Sequence, residues 1–139
     1  MLSKNKIKFI HFLKKKKFRN ETGLFIAEGS RLVNEILSSG YQVHLLCATR
    51  EWMNTSKQNN KAKIKEVIPV SQKELNRIST QKSPNQVLAL VKQPKYNITE
   101  EEITNSLSLI LDSIGDPGNL GAIIRNVDWF GIDNLICSH

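Results

Sequence analysis

The chain has 139 residues, a length that suits one domain, or one small domain with a piece of another. It is 40% hydrophobic and 24% charged, so a core can be buried, and its net charge of +7 with a pI of about 9.5 points to polyanions, nucleic acid first. No apolar run approaches the ~18 residues of a membrane span, and the N-terminus lacks the apolar core of a secretory signal.

In chain order, residues 3–17 read as one helix. Ile7, Ile10 and Leu13 share a side at helical spacing, and lysines take most of the rest. Residues 20–23 read as a turn. The apolar run 24–27 reads as a buried strand. A helix follows over 29–39, with Leu32, Val33, Ile36 and Leu37 facing inward and Gly40 as its αL stop. Residues 42–48 form a second strand and 66–70 a third. The polar, lysine- and asparagine-rich stretch 54–65 reads as a mobile loop. Ser71 and Glu74 form a capping box that opens a helix to about Ser79. A fourth strand covers 86–91. Residues 92–98 read as a linker, and Thr99 with Glu102 makes a second capping box. The strand 107–112 is strong. A loop over 113–118 leads to a helix from Asn119, taken as its N-cap, to Phe130, and Gly131 ends it. A last strand begins near Asn134 and runs to the final residues.

Alternating strands and helices predict α/β architecture with largely parallel sheets. The expected organisation is a domain over 1–92, a linker and short helix over 93–106, and a strand–loop–helix–strand over 107–139. That last piece is too small to stand alone, so it reads as a truncated domain or as one that packs on another.

Charge is unevenly placed. Lys4, Lys6, Lys8, Lys14, Lys15, Lys16, Lys17 and Arg19 precede the first acid, Glu21, whereas the remainder holds 12 basic and 13 acidic residues. A cationic block on a nearly neutral body reads as a docking surface, the alternative being a solvated terminus. Lys14, Lys15, Lys16, Lys17, Arg19 and Arg31 are the candidate RNA contacts. Cys47 and Cys137 form no CxxC, and His11, His44 and His139 have no ligand spacing, so neither a disulfide framework nor a metal site is expected. A reduced, cytoplasmic compartment follows.

Chemistry concentrates in Leu109–Gly131, LILDSIGDPGNLGAIIRNVDWFG. Loops at the carboxyl ends of parallel strands bind ligands, and a helix N-terminus suits phosphate. Gly118 and Gly121 allow close approach. Arg125 lies in an apolar stretch and needs either an anionic ligand or a carboxylate such as Asp112, Asp116 or Asp128. Neither GxGxxG nor GxxxxGK[ST] is present. Trp52 reads as a cover for the core edge or a base-stacking residue, and Trp129 and Phe130 as core or interface.

The run from Asp116 to Gly131, with Asn119-x-Gly121-x-x-x-Arg125 at its centre, resembles the first motif of the SpoU (TrmH) family of RNA ribose methyltransferases. Lys17, Arg19 and Gly23–Arg31 resemble the start of that family's N-terminal substrate-binding domain, and Ser83–Ala89 its close. The resemblance implies a ribosomal-protein-like α/β RNA-binding domain followed by part of an α/β trefoil-knot methyltransferase domain. It implies S-adenosylmethionine as cofactor, ribosomal or transfer RNA as substrate, and a homodimer for the complete protein. It gives Arg125 a role in activating the ribose 2′-OH and holding the RNA phosphate, with Asn119 in support. Asn126 and Val127 depart from the Thr and Ala common there. The family's later motifs, which build the cofactor pocket, are absent from these residues, so the cofactor-binding residues stay unassigned and the 139 residues alone are expected to bind RNA without methylating it. The rival is a non-catalytic RNA-binding module related to ribosomal proteins. A nucleotide-binding α/β protein using the Gly118 loop is a third reading.

Overall fold

A computed structural model describes residues 2–55, 63–81, 83, 85–97 and 99–138. The chain divides into two compact units, Met1–Pro94 and Lys95–His139. In the first, α1 (Lys4–Phe12), α2 (Lys16–Thr22), β1 (Leu24–Glu28), α3 (Ser30–Ser38), β2 (Gln42–Ala48), α4 (Arg50–Thr55), β3 (Lys63–Ile64), β4 (Val67–Pro69), α5 (Gln72–Ile78) and β5 (Val87–Lys92) follow one another.

The sheet runs β1-β5-β2-β3, and β4 also pairs with β2. Both β1 and β2 lie antiparallel to β5, and only β3 and β4 run parallel to β2. The expectation of a largely parallel sheet therefore fails here. The β1–α3–β2 crossover leaves a slot between its strands, and β5 fills it from the opposite direction.

β5 explains the core. Its run Val-Leu-Ala-Leu-Val is buried throughout, as a central strand covered on both faces must be. Val87, Ala89 and Val91 join Val33, Ile36, Leu37 and Trp52 in one cluster. Leu88 and Leu90 join Ile10, Leu13, Leu75 and Ile78 in the other. Helices α3 and α4 thus cover one face, and α1 and α5 the other. β2 keeps both faces apolar through a bulge. Val43 pairs with Val91 but Leu45 with Leu90, so β2 carries one extra residue there. Val43, Leu46 and Ala48 consequently share one face while Leu45 and Cys47 share the other. The strand expected over 66–70 is present as β4, and β3, in the stretch expected to be loop, pairs with β2 ahead of it. Of the loop expected over 54–65, Asn54 and Thr55 end α4, Lys63 and Ile64 form β3, and 56–62 lie outside the described residues.

The helix expected over 3–17 breaks in two. Ile10 and Leu13 are fully buried, and no apolar residue extends their stripe until Phe18. The chain turns at Leu13–Lys15, which stacks Phe18 on Phe12 at 4.8 Å between ring centroids. Arg19 Nη1 donates to the carbonyls of Leu13 (3.2 Å) and Lys14 (2.8 Å), groups left open by the break. Gly23, in the left-handed region at φ 63°, then ends α2.

In α3 the inward stripe is Val33, Ile36 and Leu37. Leu32 sits about 100° round the helix from Val33 and is half exposed. Ser39, not Gly40, closes this helix, its Oγ donating to Ile36 O at 2.7 Å. Both capping boxes are present, Ser71 with Glu74 and Thr99 with Glu102.

The second unit contains α6 (Glu100–Thr104), β6 (Ser108–Leu111), α7 (Pro117–Trp129) and β7 (Asn134–Cys137). β6 and β7 pair in parallel across the α7 crossover. Val127 is the one buried residue among those described in this unit. Gly131 (φ 64°) donates to Asp128 O and Ile132 to Val127 O, a Schellman closure of α7.

Candidate nucleic-acid interface and catalytic segment

The basic block surrounds the α1–α2 break. Lys15 and Lys16 are exposed and, among the described residues, make no ion pair. Lys17 lies 4.0 Å from Glu21, an exposed i,i+4 pair of little energetic weight. Lys14 Nζ donates to Ser79 O at 2.9 Å. Arg19 is half-buried and spends Nη1 on the backbone of the break. Arg31 is exposed on the first turn of α3. The six candidates thus sort physically. Lys15, Lys16 and Arg31 are free to meet a phosphate, whereas Lys14 and Arg19 also brace the fold.

Glu28, which belongs to no catalytic motif, organises the end of β1. Its carboxylate accepts from Ser79 Oγ, from Thr80 Oγ1 and, at 2.9 Å, from Thr80 N. It thereby ties the segment after α5 to the β1–α3 turn. Gly29 there has φ 98°, and a Cβ on it would stand 3.3 Å from Asn85 Nδ2. Of the expected closing motif Ser83–Ala89, Pro84 lies outside the described residues.

Other reactive groups have structural roles. Cys47 is buried, and burial pushes its thiol up to about 12, so it is an inert core residue. His11 Nε2 lies 2.7 Å from Arg77 O, and the His44 ring tilts against Phe9; His139 lies outside the described residues. Among the described residues, no cluster of three His, Cys, Asp or Glu could hold a metal ion, and no helix is long and apolar enough to cross a membrane. Trp52 is a core residue, 3% exposed.

In the second unit, β6 ends in the loop 112–116, where Ser113 adopts φ 56° and its N–H donates to Ser138 Oγ at 2.9 Å. The N-cap of α7 is Asp116, not Asn119: its Oδ1 accepts from Asn119 N at 2.7 Å, and Pro117 occupies the first helical position. Gly118 makes room for this cap, since a Cβ there would come within 3.0 Å of Asp116 Oδ1, while Gly121 has open space around it. Arg125 is exposed rather than enclosed by apolar neighbours, and among the described residues it has no hydrogen bond or ion pair. The pairing with Asp112, Asp116 or Asp128 is not made. Asn119 and Arg125 are six residues apart, so they lie about 9 Å apart along the axis and about 120° apart around it. Trp129 and Phe130 are 85% and 75% exposed, which rules them out as core of this unit.

A family model, the MRM3-like substrate-binding domain, matches residues 4–89. The relatives extend the likeness through α7. The chain is 32% identical over 134 residues to the mitochondrial rRNA methyltransferase 3 of Xenopus laevis, covering 93% of this chain and 32% of that one. It is 29% identical over 131 residues to the Bacillus subtilis 23S rRNA (guanosine(2553)-2′-O)-methyltransferase RlmP, covering 94% and 50%. Among solved structures, a TrmH-family protein of Porphyromonas gingivalis superposes with a TM-score of 0.78 at 35% identity, covering 99% of this chain and 52% of that one. The AdoMet-bound rRNA methyltransferase of Sinorhizobium meliloti gives 0.72 at 30% identity, with the same coverage. The fold and the matched segments define a SpoU (TrmH) protein, and the chain belongs to that family. Its first unit is an MRM3-like substrate-binding domain. The chain spans about a third to a half of the length of these relatives.

Proposed function

We propose that this chain carries the RNA-recognition domain and the opening catalytic strand–loop–helix of an S-adenosylmethionine-dependent 2′-O-ribose methyltransferase acting on ribosomal RNA. The observation that carries this reading is Arg125, an exposed guanidinium on α7 with no partner among the described residues, in a segment that aligns with rRNA methyltransferases. A guanidinium stays protonated at neutral pH and is no base. It acts by holding the RNA phosphate and stabilising the alkoxide that develops on the 2′-oxygen. Asn119, on the first turn of α7, supports the loop and the ribose.

The methyl donor supplies an electrophilic methyl group when bound. In the second unit Val127 alone is buried among the described residues, and its cofactor-binding residues stay unassigned. In this reading the 139 residues by themselves bind RNA and do not transfer a methyl group. The complete protein forms a homodimer and works in the cytoplasm, the compartment in which Cys47 and Cys137 remain free thiols.

The test is a filter assay with labelled S-adenosylmethionine and ribosomal RNA, alongside a binding assay. Binding without transfer by the 139 residues, and 2′-O-methylation by the complete protein, is the expected result. Methyl transfer by the 139 residues alone would overturn the division of labour. The confinement of the family match to residues 4–89 favours the second reading, a non-catalytic RNA-binding module. Loss of methylation in the complete protein on Arg125→Ala decides against it.

A further inference from the structure

The sheet of the first unit has two ends, and Lys14 of the basic block reaches one of them. Lys14 reaches Ser79, and Ser79 reaches Glu28, at the carboxyl end of β1. The opposite end is formed where Leu24 faces Lys92 and Gln42 faces Lys63. There a cavity of about 290 Å³ opens, with buried Leu24 and Val43 at its base and Lys63, Lys65, Lys92 and His44 around it.

Three exposed lysines ring this cavity, and among the described residues no acid lines it. Among the described residues, none of their ammonium groups makes a hydrogen bond or an ion pair. The acid next in sequence, Glu66, is taken by Lys6 of α1. The lysines are held in place by backbone: Lys92 by the β1–β5 ladder, Lys63 by the β2–β3 ladder, and Lys65 by its N–H on Val43 O at 2.8 Å. Like charges converging on one concavity repel each other unless an anion joins them.

We infer that this notch is a second phosphate-binding subsite, which seats the RNA backbone at the Leu24–Lys92 end of the sheet, away from the α1–α2 lysines. The inference rests on the RNA-binding reading above and deepens it. The two ends of β1 lie about 13 Å apart, so an RNA strand that contacts both runs along the sheet. The small, exposed ammonium groups suit phosphates rather than base edges, so the notch adds affinity and register but no sequence preference.

The test is fluorescence anisotropy of a labelled ribosomal RNA hairpin with the full chain over a range of salt concentrations. It compares K65Q/K92Q with the charge-matched K73Q/K95Q, Lys73 and Lys95 being exposed residues outside the notch. The expected result is that K65Q/K92Q lowers the log–log salt slope by about 0.7–0.9 for each phosphate that no longer meets a lysine, whereas K73Q/K95Q leaves it near wild type. Equal slopes for all three proteins, or equal reductions in the two variants, overturn the notch while leaving RNA binding intact. If the wild-type chain binds no RNA even at low salt, the underlying reading fails, and the notch with it. Matching thermal unfolding curves exclude misfolding as the cause, since all four lysines are exposed.

Discussion

Arg125 carries the catalytic proposal, and its surroundings set what its removal does. It is exposed and has no partner among the described residues, so Arg125→Ala leaves thermal unfolding unchanged. In the complete protein the same substitution lowers the methyl-transfer rate by about 10²–10³-fold, the usual loss for one group stabilising a developing oxyanion. A rate within twofold of wild type would remove Arg125 from the mechanism. Gly29 is the opposite case, a residue whose role is conformational. At φ 98° and with Asn85 Nδ2 3.3 Å from where a Cβ would stand, Gly29→Ala costs about 1–2 kcal/mol in urea unfolding. Glu74 gives a pH signature. N–H groups of Ser71 and Leu2 and the Ser71 hydroxyl hold its carboxyl below the usual range. A depressed folded pKa means that its contribution is present at neutral pH and is lost as pH falls through the carboxylate range. Glu74→Gln therefore flattens the acid limb of the stability profile. An acid limb identical to wild type would show that Glu74 has no such linkage.

Elements are legible in the sequence wherever their chemistry is local. Both capping boxes and the Gly131 stop of α7 depend on residues three to five apart, and each stands where the pattern puts it. Asp116 is easily passed over as the cap because Asp-Pro-Gly-Asn offers two good caps. The deciding signal is Pro117, whose fixed φ and missing N–H suit the first helical position. Asp116→Ala accordingly costs about 1 kcal/mol, measurable as lost helicity in α7 on mild denaturation, while Asn119→Ala costs far less. The α1–α2 break is illegible because Arg19 stabilises it through backbone carbonyls that no side-chain pattern reveals. The short α4 is hidden too: six residues give no periodicity, and it is held by Trp52 in the core. As for the basic block, K15Q/K16Q weakens RNA binding and lowers the salt slope without changing stability. Arg19→Ala does both, because its guanidinium also closes the break. Equal stability of the two variants would contradict this.

At the scale of the molecule, the α/β class and the order of most elements follow from the sequence, but the position of β5 between β1 and β2 does not. Strand pairing is non-local, and a uniformly apolar strand announces only that both its faces are covered. The bulge in β2 is equally hidden, since it shows only in the register with β5. The candidate site is legible in part. The motif locates Arg125 on a helix after a strand, but its exposure becomes visible only in three dimensions. The likeness to rRNA methyltransferases over nearly the whole chain joins a lysine-rich recognition domain to that arginine. On the proposed reading, these residues recognise RNA through its phosphates. The most direct measurement is the affinity of the 139-residue protein for ribosomal RNA as a function of salt. Binding weakens steeply, in a straight line on logarithmic axes, with a slope set by several phosphate contacts. A flat response, or no binding at low salt, would contradict that reading.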